Sequence, residues 1–440
     1  MFIKSILSAH LYKTMYKTNR VVLNSGLKCF KNTCFQLSFS AYNGFRWYSK
    51  DGLELGRREQ LDWRNVVSEA EQIVGYPTSF LNLRWLFNDE IANTAIHLRK
   101  LVGTNHPLLK SAKNLLIGSK SSLQSVGLII LLVSRAAGVD PDEATRAECD
   151  SGVLHAQRAL AEIVEMKRTG HMVHKTMVNL AGQEKHGKKY DDLLYGNKIV
   201  LLTGDYLLAT CFKQLGDLHN HEVVQLISSG LRDLTEGDFF GERDEEHNPF
   251  PSQPKATNIN LTYDWENENN LEKLGSNDFL GRGRQEWVLR TMLNSGSILG
   301  KGCQAAMKLA NRGAEAEKNA YLLGGHLALM WQLSLDIKDF FIHPYSYSLV
   351  GAPLTVALWE YPTIYGHIME CKLEKKPVQH KQLYYAVRGT RAMEYITLML
   401  DEELAAILKY SDKFLVEDAK CSLQKMAMTI HAETLDYMET

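Results

Sequence analysis

The sequence lacks any cysteine pattern. Its seven cysteines, at 29, 34, 149, 211, 303, 371 and 421, are odd in number, scattered, and form no CxxC pair. That excludes a disulfide framework and a zinc ribbon as organising devices, and it fits a reducing compartment. Long apolar runs are lacking too: no stretch of about 18 residues is free of charged or polar breaks, so no transmembrane helix is expected. Nor is there an excess of charge. The 50 Lys and Arg stand against 51 Asp and Glu, a formal net charge of -1. There is therefore no global electrostatic case for nucleic acid or an anionic membrane, and any charge argument has to be local. Nothing reads as a sheet, and no internal repeat of roughly 20–50 residues is present. Helices are what remain.

Acids are missing from one place in particular. Met1 to Lys50 holds eight Lys or Arg and no Asp or Glu, with many hydroxyl and aromatic residues; the first acid is Asp51. This composition reads as a mitochondrial transit peptide. Arg46-Trp47-Tyr48-Ser49 resembles the Arg-x-Tyr-Ser pattern at which matrix peptidases cut. Residues 1–50 are therefore set aside as a targeting segment, and residues 51–440 are read as a single helical domain.

Hydrophobic periodicity predicts helices over Trp63–Ile73, stopped by Gly75-Tyr76-Pro77, and over Ser79–Val102. Gly127–Ala137, GLIILLVSRAA, is apolar nearly all round and should be central. Further helices are expected over 153–180, 223–240, 287–310, 315–339, 381–408 and 411–438, with Pro and Gly punctuating 344–362. The polar stretch from Gly241 to about Arg284, with Pro249, Pro251 and Pro254, is read as a mobile insertion. The second half of the 153–180 helix is odd, because Lys167, Arg168, His171, His174 and Lys175 interrupt a core pattern.

Gly196–Ala209, GNKIVLLTGDYLLA, is the most informative stretch. Ile199, Val200, Leu201 and Leu202 leave no polar stripe and predict burial on most sides. Gly204 in mid-helix costs roughly 1 kcal/mol against Ala unless a close neighbour needs the space. Asp191-Asp192 just upstream reads as a helix-start cap in preference to a metal site. His171 and His174 share a face but have no third or fourth ligand near in sequence, so polar core or interface histidines are favoured over zinc.

These segments resemble, in order, the trans-polyprenyl diphosphate synthases. Gly196–Ala209 is similar to the family's G-x-x-x-AVLAGD-(F/Y)-L helix, Gly127–Gly138 to the helix after its Gly-Gly-Lys-Arg-x-Arg-Pro motif, and Trp287–Ala310 to its Lys-Thr-Ala-x-Leu helix. Gly324–Asp339 is similar to G-x-x-x-G-x-A-F-Q-I-x-D-D-x-x-D, which includes Gln332. The resemblance implies an all-α, isoprenoid-synthase-type helical bundle carrying a long polar insertion. It also implies a reaction in which an allylic diphosphate is joined to isopentenyl diphosphate. In such enzymes two Asp-rich motifs hold magnesium, a hard, oxygen-seeking ion that draws off the diphosphate. The DDxxD spacing sets its first and last acids on one helical face.

This chain departs from that pattern at the residues that carry the chemistry. The first Asp-rich motif falls on Lys175-Thr176-Met177-Val178-Asn179, with no acid left. The second falls on Leu335-Asp336-Ile337-Lys338-Asp339, where Asp336 and Asp339 are either remnant magnesium ligands or structural. The substrate-binding basic positions fall on Leu123, Gln124 and Val126; the Lys of the Lys-Thr motif is Arg290, and Thr291 is kept. Losing one preorganised charge-stabilising group costs about 100- to 1,000-fold in rate, so a chain missing nearly all of them is expected to be inactive alone.

Such losses match the family's non-catalytic subunits of heteromeric long-chain synthases, and Val67–Leu109 resembles the opening of such a subunit. The resemblance implies an obligate partner of a catalytic polyprenyl diphosphate synthase subunit, 2:2 by family resemblance, reached by prenyl diphosphates through the complex. Magnesium would be held mainly by the catalytic partner. The assembly would serve ubiquinone side-chain synthesis in the mitochondrial matrix, with neither nucleic acid nor a membrane span involved. Gly204, Asp205 and Gln332 are then structural residues. Small Gly170, five residues before the first motif, stands where family enzymes limit chain length with bulky groups and would leave room for a long tail. The rival readings are a regulatory or lipid-binding protein on the same scaffold, and an enzyme active alone through Asp191, Asp192, Asp336 and Asp339.

Overall fold

The computed structural model describes residues 62–75, 126–142, 144–180, 187–244, 248–255, 265–266, 277–374 and 376–439. The expected targeting segment, the helix expected over Ser79–Val102 and positions Leu123 and Gln124 lie outside the described residues. Among the described residues there is no strand, only an isolated bridge between Arg243 and Pro249. The all-α reading holds.

Local chemistry sets the helix limits. Helix α1, Trp63–Val74, starts where Asp62 accepts from the Arg64 N–H at 3.1 Å and ends at Gly75, whose left-handed φ of 64° a side chain would resist. Its Val66, Ala70 and Val74 recur every four residues and form the buried stripe. Helix α2, Val126–Ala137, is buried at all but Arg135. Helix α3, Arg146–Ser151, opens with a Thr145–Glu148 capping box. Helices α4, His155–His174, and α5, Lys188–Asp217, then lie side by side, and α6, His221–Phe239, follows an Asn220 cap.

Helix α7, Arg284–Thr291, passes through a π-helical turn at Met292–Gly296 into α8, Ser297–Leu309. Helix α9, Ala314–Ile342, crosses α8 so closely that a Cβ on Gly324 would lie 2.8 Å from the Gly300 Cα, which is why both positions are glycine. Helices α10, Ala352–Glu360, α11, Thr363–Leu373, α12, His380–Arg388, α13, Ala392–Ser411, and α14, Glu417–Glu439, complete the bundle. The core centres on α2, α8 and α9, with α4, α13 and α14 packed around them.

Several expectations need correction. Helix α4 stops at His174, six residues short of the expected end, because the chain turns at Lys175 and Thr176. The 381–408 helix is two, broken at Gly389–Arg391, and α10 and α11 occupy the region read as mere punctuation. Gly187, not the Asp pair, is the N-cap of α5; Asp191 lies in its first turn, where a negative charge meets the positive helix end. The described parts of the 241–284 segment, read as a mobile insertion, make packing and hydrogen-bond contacts with the bundle. Phe250 and Trp265 are buried, the latter against Tyr321 and His326, and the Lys255 N–H donates to the Gly281 carbonyl at 2.9 Å. Burying two large aromatics outweighs a polar sequence.

Burial of Gly196–Ala209 is only half true. Val200, Gly204, Leu207 and Cys211 recur at four- and three-residue steps and face inward. On the outer side Leu194 (51%), Leu201 (46%) and Leu202 (54%) stand exposed, with Tyr206 and Phe212 beside them. An apolar helix read from sequence alone looks buried all round; a single chain leaves one side open.

Candidate functional site

The second half of α4 explains its odd cations. Lys167, His171, His174 and Lys175 fall at steps of four, three and one, a single stripe facing α5 and α6. Lys167 is buried, and its Nζ donates to the Ile227 carbonyl of α6. Burial, partly opposed by nearby acidic groups, pulls its amine down to about 7. Deeper in, Asp233 of α6 accepts from Lys301 Nζ at 2.5 Å and from the Ser297 hydroxyl. Burial also lowers the Lys301 amine, with Asp233 pulling the other way. One carboxylate thus serves a buried polar seam joining α4, α6 and α8.

At the stripe's outer end, Asp238 of α6 lies 2.9 Å from Lys175 Nζ and 3.4 Å from His171 Nε2. Burial first, then the neighbouring Lys175, pushes the His171 ring down to about 4, so it is neutral at pH 7. Lys175 thus closes an ion pair with Asp238 at the surface of the chain. Thr176 is buried and its hydroxyl donates to the Val173 carbonyl at 2.7 Å. Beyond it, the Asn197 amide of α5 clasps the Val178 backbone with two bonds of 2.8 Å, and Asn179 is exposed. The five positions of the first motif no longer form a helical turn, so 175 and 179 do not share a face.

Gly204 faces this same stripe. A Cβ there would stand 2.1 Å from His174 Nε2, and the His174 ring also lies 3.4 Å from the exposed Asp205 carboxylate. Gly170 is a second contact between α4 and α5: its added Cβ would meet Leu207 Cβ at 3.3 Å and the Gly204 carbonyl at 3.4 Å. The room for a long tail read there from sequence is filled by the neighbouring helix.

The second motif lies on α9. Asp336 Oδ2 accepts from Trp287 Nε1 at 2.7 Å and from the Ala352 N–H at 2.8 Å, while Oδ1 accepts from Gln332 Nε2 at 2.7 Å. Burial raises this carboxyl to about 6 despite those donors. Asp339 Oδ2 accepts from the Ser348 N–H at 3.1 Å, so the two acids pin the 343–351 turn and the start of α10. Lys338 Nζ pairs with Glu433 of α14 at 3.2 Å. These groups do not fit a magnesium cluster. The Asp336 oxygens are taken by the chain's own donors, the first motif has a cation and no acid, and no group of three or more metal-ligating residues occurs among the described residues.

Arg290, at the position where the Lys-Thr motif was expected, is buried. It pairs with Glu286 at 2.7 Å, donates to the Phe240 carbonyl at 3.1 Å and lies over the Phe240 ring. Glu286 in turn accepts from Ser252 at 2.8 Å and the Gly281 N–H at 2.7 Å, so the pair ties the 241–284 segment to α7. Val126 is buried at the head of α2, where the Gly127 N–H donates to Glu165 of α4 at 3.0 Å. The sequence reading missed Asp233, Lys301, Asp238, Asn197 and Glu286. Only the i, i+4 spacing of Glu286 and Arg290 signalled a pair; the rest meet through the fold.

No family model matches the sequence. A human all-trans-polyprenyl-diphosphate synthase, PDSS2, is 39% identical over 280 residues, an alignment covering 63% of this chain and 63% of that protein. The mitochondrial hexaprenyl pyrophosphate synthase of Saccharomyces cerevisiae is 28% identical over 213 residues, 43% of this chain and 42% of its own length. The chain thus matches less than two thirds of either relative. Among solved structures, a geranylgeranyl pyrophosphate synthase from Bacteroides thetaiotaomicron aligns with a TM-score of 0.54 at 16% identity, covering 84% of this chain and 99% of its own. A heptaprenyl diphosphate synthase from Staphylococcus aureus gives a TM-score of 0.54 at 12% identity over 84% of this chain and 98% of its own. In sequence this chain is thus similar to all-trans-polyprenyl-diphosphate synthase, and it shares its helical fold with solved prenyl diphosphate synthases.

Proposed function

We propose that this chain is a non-catalytic, obligate subunit of a heteromeric long-chain trans-prenyl diphosphate synthase. The observation that carries the reading is that both Asp-rich positions are engaged by the chain's own groups: Lys175 by Asp238, and Asp336 by Trp287, Gln332 and Ala352. Among its described residues such a chain offers no group of three metal-ligating side chains for a metal–diphosphate centre, yet it keeps the bundle. The exposed apolar side of α5, Leu194, Leu201 and Leu202, supports a partner, since such a face is costly in water.

In this reading a catalytic subunit with intact Asp-rich motifs holds the magnesium and both prenyl diphosphates. The present chain buttresses it in a 2:2 assembly in the mitochondrial matrix. The assembly extends an allylic diphosphate with isopentenyl diphosphate towards the ubiquinone side chain.

The test is to express this chain alone, the catalytic homologue alone, and both together, then to assay prenyl diphosphate formation and measure the mass of the complex. Activity confined to the pair is expected. Full activity of the catalytic homologue alone, unchanged by this chain, sinks the proposal and favours a regulatory or lipid-binding role. Turnover by this chain alone sinks it too.

A further inference from the structure

Although the whole chain is nearly neutral, residues 371–391 carry six Lys or Arg and one acid, Glu374. Helix α12 lies within this stretch and is strictly two-sided. Leu383 and Val387, four apart, are buried, while Lys381, Tyr385 and Arg388, at steps of four and three, line the opposite exposed side. Lys372, Lys376 and Arg391 have local carboxylates in Glu242, Glu374 and Glu394. Lys381 and Arg388 instead rest on aromatic rings. The Lys381 ammonium lies 5.5 Å from the Tyr345 ring centre, and the Arg388 guanidinium lies 5.4 Å from that of Phe341 and 5.8 Å from that of Tyr384. Tyr345 (66%) and Tyr385 (63%) are widely exposed, and Leu373, which closes α11 just before this helix, is 78% exposed.

We infer that the Lys381–Tyr385–Arg388 face of α12 is a docking surface for an anionic lipid bilayer. Exposed cations with apolar stems beside exposed tyrosines suit a membrane interface, where rings and stems enter the headgroup layer and charges meet lipid phosphates. A folded acidic partner fits less well, because the exposed apolar groups are spread among the charges and do not form a patch a protein core would cover. No described helix is long and apolar enough to cross a membrane, so the contact is peripheral. This inference stands apart from the proposed synthase role.

The test uses the full chain and hydrogen–deuterium exchange, a local readout that separates this face from the basic residues 1–50. Vesicles of equal parts phosphatidylglycerol and phosphatidylcholine are expected to slow amide exchange across α12, with the effect shrinking as salt is raised. Vesicles of phosphatidylcholine alone should not do so. The double variant K381E/R388E should lose that protection and cosediment roughly tenfold less with anionic vesicles. Because both side chains are exposed, the variant should keep the wild-type helix content and a cooperative unfolding transition, which separates lost docking from lost folding. No change in α12 with anionic vesicles, equal protection by neutral ones, or protection kept in the double variant overturns the inference. So does protection of this face by an acidic protein partner in place of vesicles.

Discussion

Asp336 shows how one buried carboxylate can tie three helices together. Three donors from α7, α9 and α10 converge on it. Replacing it with Ala orphans buried N–H groups at about 1–3 kcal/mol each, so D336A should lose at least about 2 kcal/mol in urea unfolding. D336N keeps the acceptor for Trp287 and Ala352, and Gln332 can turn its amide, so this variant should fold and assemble normally. The pH sign follows from burial. The folded carboxyl titrates at about 6 against an ordinary 3.8, so the folded state binds the proton more tightly. Its contribution to stability is then most favourable below the ordinary value and declines as pH rises through about 6. Relative to wild type, D336N should therefore gain stability between pH 4 and pH 7 in paired urea titrations, and an unchanged difference would contradict the assignment. At the first motif, restoring acids at Lys175, Thr176 and Asn179 together should not create turnover in the isolated chain, because α4 ends at His174.

At the scale of elements, the contact between α4 and α5 is the one that Gly204 makes possible. G204V sets a branched side chain where His174 stands, an overpacking that typically costs about 1–3 kcal/mol. The double variant H174A/G204V should recover much of that loss in thermal unfolding; strict additivity would show that the two do not share the space. G170F should likewise lower stability and not alter product length, since its neighbour is Leu207. The apolar stripe of α1 and the all-round apolar surface of α2 were legible because both patterns are local. The end of α4 was not: the apolar pattern runs on past His174, and the turn is held by Asn197, a residue of the next helix. For the same reason the outer side of α5 looked like core, since a sequence does not say which side of an apolar helix the rest of the chain covers.

Across the whole molecule, the buried seam of Lys167, Lys301 and Asp233 is a cost the fold carries. The Lys167 amine, held at about 7 against an ordinary 10.5, makes the folded state the weaker proton binder between those values, so stability rises with pH through that window. K167M should accordingly be more stable than wild type at pH 7, by a margin that shrinks towards pH 10; a constant or reversed margin in urea unfolding would refute this. Sequence alone determined the helical class, the family resemblance and the loss of the first Asp-rich motif, because residue type and local spacing carry all three. Tertiary structure decided the rest. It turned Asp336 from a remnant ligand into an anchor for α10, made Arg290 and Glu286 a clamp on the 241–284 segment, and left one side of α5 open. Each depends on groups far apart in the chain meeting at hydrogen-bond distance, and local patterns of polarity hold no record of such meetings.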